Sequence, residues 1–449
     1  MLAIPLLLLL TTAFTSPGPR LAPPPTPTPS AGAAARELLV AARGAAPALC
    51  VLAANGIRNG GWGSTFDPPV AIVGSLLPEG LRRLHRAPLA GDDARALVTS
   101  LGAADACERH VAATLLGCAD ARSVAEDVGR RVASAAALER TAALAALGLM
   151  EARTQTGPIA RALKDDSADV RANAAWALGR IGERATAAAV RGVLADREPV
   201  VRAAGAVALG RMEDKDSTAV IAGVLEKDES PEVRRVAAWA LGQVKARTAA
   251  EALTRALARD ASDEVREMAA WALAESSARD AADALATALA KDKSPEVRET
   301  AAWALGDLDA RNAVPALSAA LSDSEPRVRA TAAWALGQMR IDKAPAALVA
   351  ALKDADHEVR MPAAWALSEI GDPQAAPAVA EALRSETNDE VRRAEIRTLV
   401  QSGHASDGVL RGLVESKDAK TRELAVRALA GRSGPWPWPW PQPRPRPSP

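Results

Sequence analysis

The chain has 449 residues but no tyrosine, two phenylalanines and four histidines. Aromatic residues make up 3% of it while hydrophobic residues reach 49%, so alanine and leucine supply most of the apolar surface. Both are strong helix formers, whereas a sheet protein draws on β-branched and aromatic side chains. An excess of charge is also missing: Lys plus Arg is 55 and Asp plus Glu is 55. A nucleic-acid binder relies on a basic excess to neutralise phosphates, so no nucleic-acid partner is expected. The three cysteines, Cys50, Cys107 and Cys118, are too few and too far apart for a disulfide framework or a Cys-rich zinc site. Buried free thiols are the simplest expectation, with a Cys107–Cys118 bridge as the alternative in an oxidising compartment.

Long hydrophobic runs are absent too. Residues 2–10 are apolar but far shorter than the ~20 residues that span a bilayer. Residues 1–16 resemble a secretory signal, with Ala13 and Thr15 as small residues before a cleavage site. No Lys or Arg precedes the run, and a start lying inside a longer membrane segment would account for that equally well. Export or membrane association, in the periplasm or cell envelope, is therefore expected, with the cytoplasm as the alternative. Residues 17–33 are rich in Pro, Ser, Thr and Ala and read as a disordered linker. The tail, 433–449, contains GPWPWPWPQPRPRPSP, whose alternate prolines favour an extended polyproline II rod. It is either an aromatic, weakly cationic element for a membrane interface or a proline-recognising partner, or a drifting low-complexity end.

What the chain does have is a repeat. One turn of it, SPEVRETAAWALGDLDARNAVPALSAALSD, runs from Ser294 to Asp323. Its anchoring arginines are Arg171, Arg202, Arg234, Arg266, Arg298, Arg329, Arg360 and Arg392, each 31 or 32 residues after the last. Weaker copies centre on Arg422, Arg140 and Arg109, giving about eleven units over 105–432. Each unit encodes two helices. Ser294 is placed to cap the second one, with Pro295 at its first position and Glu296 in its positive first turn. Gly306 reads as the left-handed residue that ends it. The next first helix is predicted from about Ala313 to Ser322. Two helices this short are unstable alone, so stacking must supply the core. Residues 34–104 form a helical amino-terminal cap region, with helices near 34–54 and 91–101 around a glycine-rich loop containing Trp62.

On a helical wheel, Val297, Ala301, Ala304 and Leu305 gather on the core side and Trp303 falls roughly opposite. Trp176, Trp239, Trp271, Trp303, Trp334 and Trp365 share that position, with Val207 the exception. Glu299 and Asp307 neighbour it, and Gln243, Glu275, Gln338 and Glu369 are equivalents of Asp307. If second helices line the concave side, these residues form an aromatic-floored, polar-rimmed binding strip. Alternatively, each indole is a spacer packed against the adjacent repeat. A second series is structural: Asp165, Asp196, Asp228, Asp260, Asp292, Asp323 and Asp354 precede their repeat arginines by six residues, as Glu386 does Arg392. Neighbouring pairs are placed to bridge along the array.

The VR..AAxALG segment resembles the short HEAT repeats associated with phycobilisome lyases. The resemblance implies an all-α, armadillo/HEAT-like solenoid, a fold that bilin lyases, iron-dependent deoxyhypusine hydroxylases and many bacterial scaffold proteins share. The hydroxylases use several His–Glu pairs to hold two irons; this chain has only His357–Glu358, and His85, His110 and His404 are not followed by Glu. There is also no HExxH, GxSxG or P-loop. The expectation is a scaffold for a protein or extended peptide, with no catalytic residue, metal or cofactor; a lyase- or hydroxylase-like enzyme, or an envelope protein contacting membranes through its tail, is the alternative.

Overall fold

The computed structural model describes residues 31–43, 89, 91–118, 122–401, 407–416 and 419–430. Among them there are α-helices and 3-10 turns and no strand, and no helix is long and apolar enough to cross a membrane. The signal-like segment, most of the linker, the loop around Trp62 and the Pro/Trp tail lie outside the described residues. The first helix, Ala31–Ala42, begins three residues inside the segment read as linker, and Gly91–Ser100 follows it.

One unit shows how local chemistry builds the array. The Ser294 hydroxyl accepts from the Val297 N–H at 3.5 Å, and Pro295 opens the helix Pro295–Asp307. Ser230 and Ser262 cap their helices in the same way. Gly306, however, does not end its helix: it is helical and buried. The left-handed residue is Asp309, at φ 51°. Its N–H donates to the Gly306 carbonyl at 3.2 Å, and the Ala310 N–H to that of Leu305 at 3.0 Å, which closes the last turn. Glu151, Glu213, Lys245, Ser277 and Arg340 hold the same conformation in other units, although it costs a non-glycine residue about 1 kcal/mol. A 3-10 turn, Arg311–Ala313, then leads into the first helix Val314–Ala320.

Consecutive second helices pack directly on one another from Ala106–Cys118 to Asp389–Gln401, and each also packs on the first helix of its own unit. A second helix in the array therefore has three helical neighbours. This explains why Val297, Ala301, Ala302, Ala304, Leu305 and Gly306 are all buried, around most of the circumference. A one-sided wheel would leave Ala302 outside. Small residues on the flanks let the helices approach, while leucines such as Leu285, Leu289 and Leu305 supply the bulk of the core, each contributing about 1.5–3 kcal/mol on burial.

Candidate binding face

The tryptophans occupy the seams between second helices. A Cβ built on Gly148 would fall 2.5 Å from Trp176 Cζ3. The same atom of Trp239, Trp271, Trp334 and Trp365 stands 2.9, 2.6, 3.1 and 2.6 Å from a Cβ built on Gly210, Gly242, Gly306 and Gly337. Each indole thus lies over the glycine of the preceding repeat, and these five are between 2% and 8% exposed. This corrects the expectation of six indoles flooring an open strip. The wheel placed them opposite the core, but the preceding second helix covers that side. The glycine recurs where the indole of the next repeat approaches closely and does not serve a left-handed turn.

Trp303 differs. The position beneath it in the repeat register is Ala274, in AAWALA, whereas a glycine lies beneath each of the other five tryptophans. Trp303 is only partly buried. The converse change supports a prediction. Gly242→Ala adds a Cβ that meets Trp271 Cζ3 at 2.6 Å and Ala272 Cα at 3.1 Å. Overpacking of about 1–3 kcal/mol should outweigh the ~1 kcal/mol gained in helix propensity. We expect net destabilisation with a red shift in tryptophan emission; a more stable variant with unchanged emission would show that the indole does not require the glycine.

The polar members of the predicted face remain accessible. Asp307 and Gln338 are exposed, and Gln243, Glu275, Glu299 and Glu369 are half-buried. Arg180 and Arg211 occupy the place of Gln243 in earlier repeats and extend the predicted row, and the four-residue spacing after Trp176 and Val207 is the sequence signal that marks them. Arg180 lies 5.9 Å from the Trp176 ring centroid and 3.8 Å from Glu151. Burial, and then the charge of Arg180, bring the Arg211 guanidinium down to about 10. At the other end Glu369 meets Arg340 at 3.3 Å and Arg397 at 3.5 Å. The row therefore runs from cationic through Gln243 to anionic at Glu275 and Asp307.

The ladder lies apart from this row. Arg171, Arg202, Arg234, Arg266, Arg298 and Arg329 each donate through Nε and Nη2 to the next repeat's carboxylate, namely Asp196, Asp228, Asp260, Asp292, Asp323 and Asp354, at 2.6–2.9 Å. Arg140 does so to Asp165 and Arg360 to Glu386. The aspartate six residues before an arginine meets it through its carbonyl, as when Arg266 Nη1 donates to the Asp260 oxygen at 2.9 Å. The Asp260 carboxylate also accepts the Ser262 N–H at 3.0 Å. Burial would raise this carboxyl, but the Arg234 hydrogen bonds, the Ser262 amide and the charges of Arg234 and Arg266 together hold it below the usual range. At Asp196 the Arg171 hydrogen bonds are the leading cause of the same lowering.

Cys107 is disulfide-bonded, which replaces the expectation of a free thiol. Its partner is not Cys118, which lies eleven residues further along the same helix, Ala106–Cys118. That separation is about 16 Å along the axis, against the roughly 4.4–6.8 Å between bridged Cα atoms. The partner lies outside the described residues.

A model of HEAT repeats matches residues 130–210, 156–227, 189–274, 221–306, 252–325, 282–353 and 314–400. Together these cover more than half of the sequence, and the chain belongs to the HEAT-repeat family. Solved structures of similar architecture include importin beta in an ammonium sulfate condition, with a TM-score of 0.57 and 13% identity over 88% of this chain and 64% of that one. Yeast importin-beta, Kap95p, gives 0.50 and 16% identity over 75% of this chain and 57% of that one. Kap95 in its complex with Nup1 gives 0.51 and 15%, with the same coverage. The chain thus spans less than two thirds of the length of these importins, and at such identity the likeness is one of fold. No curated protein matches the sequence.

Proposed function

We propose that the chain is a non-catalytic scaffold that binds a protein or an extended peptide along its second-helix face, the concave side of the superhelix. The observation that carries this reading is the row Arg180, Arg211, Gln243, Glu275, Asp307 and Gln338. These polar side chains are held in register by repeats whose indoles and alanines are committed to stacking. A solenoid of this kind presents a long surface on a rigid frame, which suits an extended partner. The importin neighbour seen with Nup1 is itself bound to a partner, which supports the reading without naming a partner for this chain. The 31–32-residue period supports placing the units in the short, phycobilisome-lyase type of HEAT repeat.

Export also remains our reading. A disulfide at Cys107 needs an oxidising compartment to persist, and the apolar run at residues 2–10 points the same way; alkylation of Cys107 in protein taken directly from cells would defeat it. The scaffold role is tested by capture from native extract with the full chain and with Gln243, Asp307 and Gln338 changed to Ala. The variant should lose its partner while its helicity and melting stay unchanged. Equal capture by the variant, with loss on mutating the opposite, first-helix face, would overturn the assignment.

A further inference from the structure

Trp303 stands in the most anionic stretch of the second-helix face. Glu299, Trp303 and Asp307 follow one another at four-residue spacing, on one side of Pro295–Asp307. Glu267 and Glu275 hold the places of Glu299 and Asp307 on the neighbouring helix Asp263–Glu275. Other repeats carry Ala172, Ala203, Arg235, Ala330 and Met361 where these two carry Glu267 and Glu299. Two departures from the repeat thus coincide: an alanine, Ala274, at the position beneath an indole that is only partly buried, and the carboxylates set around it.

Those carboxylates crowd one another. Glu267 and Glu299 are half-buried, and Glu267 accepts from the Thr300 hydroxyl at 3.5 Å. Burial first, then the like charges of Glu296 and Glu299, push Glu267 above the usual carboxylate range, and burial pushes Glu299 the same way. Arg327 pairs with Glu296 and lies 3.6 Å from Glu299. An incoming cation would relieve this repulsion, whereas an anionic or purely apolar partner would leave it in place.

The chain already contains the matching geometry in another repeat. Arg180 stands four residues after Trp176 and reaches over its ring, with Glu151 beside it. Four residues after Trp303 stands Asp307 instead. The guanidinium has been exchanged for a carboxylate while the ring has become more accessible.

We infer that the patch formed by Glu267, Glu299, Trp303 and Asp307 docks a cationic stretch of an extended partner, with one Lys or Arg side chain over the Trp303 ring and its neighbours among the carboxylates. This rests on the protein-binding reading above. The indole attracts the cation through its quadrupole and the carboxylates fix it, so recognition is by charge and weakens with salt.

The test uses the full chain and three labelled eight-residue peptides, alternating glycine with arginine, glutamine or glutamate, read by fluorescence anisotropy. The arginine peptide should bind, and the isosteric triple variant Glu267→Gln/Glu299→Gln/Asp307→Asn should weaken it by about tenfold or more. Trp303→Leu should weaken it several-fold, while Glu251→Gln with Glu415→Gln, outside the patch, should leave it unchanged. Equal binding of the glutamine peptide, undiminished affinity of the triple variant, or an equal loss from the outside pair would each overturn the assignment. So would preferential binding of a peptide of residues 434–449, whose Arg444 and Arg446 would make the chain its own occupant. If the native partner is still captured by the triple variant, cationic docking fails and the scaffold reading survives. If no variant of the face affects capture, the scaffold reading falls as well.

Discussion

Asp260→Asn is expected to lower the unfolding free energy by about 3 kcal/mol, because it leaves a nearly buried guanidinium without its counter-charge. Arg234 and Asp260 are 14% and 8% exposed at their side chains, and both Arg234 contacts to the carboxylate are 2.8 Å. The substitution isolates that loss. Asparagine keeps an oxygen for the Ser262 N–H, and Arg266 still finds the carbonyl of residue 260. The sign with pH follows from the depressed carboxyl. Its stabilisation is fully present above about pH 4, the unfolded aspartate value, and fades as pH falls through the lower folded value. The gap between wild type and variant should therefore close in acid. Urea unfolding at neutral pH and near pH 2.5 checks both statements. A neutral-pH loss below ~0.5 kcal/mol, the size of an ordinary surface change, would contradict them. Because stability in such arrays is carried by neighbouring interfaces, hydrogen exchange should show the loss centred on the units that share this rung.

The opposite sign is expected at the carboxyl-terminal end, where Glu395→Ala should stabilise the protein. Glu395 stands where Ala301, Ala332 and Ala363 stand in earlier repeats and is 0% exposed. Neither of its oxygens has a hydrogen-bond partner. Burial, then the charge of Glu386, raise it to about 8 against the opposing pull of Arg360 and Arg392. Below about pH 4 both folded and unfolded chains carry the proton and the group is neutral in effect. As pH rises from there the unfolded chain releases its proton and the folded one does not, so the penalty grows until pH reaches the folded value. The variant should gain on the order of 4 kcal/mol of stability at pH 8 and much less at pH 4. Melting curves across that range decide it. A gain that does not vary with pH would mean that packing, and not ionisation, sets the cost.

Much of the array was legible from spacing alone. The alanine-rich helices, the capping serines and the Asp–Arg series each repeat, and a repeating local signal implies a repeating local structure. The pairing of the ladder was legible only in part. The six-residue spacing drew attention to Asp260 with Arg266, whereas the carboxylate of Asp260 belongs to Arg234 of the unit before. The candidate binding face was less legible still. A wheel assigns a helix one inner side, and by that rule all six tryptophans pointed outward.

By itself, the sequence determined the helical class, the number and length of the units, their amino-terminal serine caps and the residues of the ladder, because these depend on contacts within about one repeat. The tertiary structure decided which side of each second helix meets protein and which meets solvent. That depends on the neighbouring repeats closing over both flanks, a packing that burial of apolar surface drives and that no single helix encodes. It sealed five indoles against glycines and left Trp303 partly open above Ala274. Ala274 is one methyl group larger than the glycine that lies beneath each of the other five indoles. The alanine was always visible in the sequence, but its consequence exists only where two repeats touch.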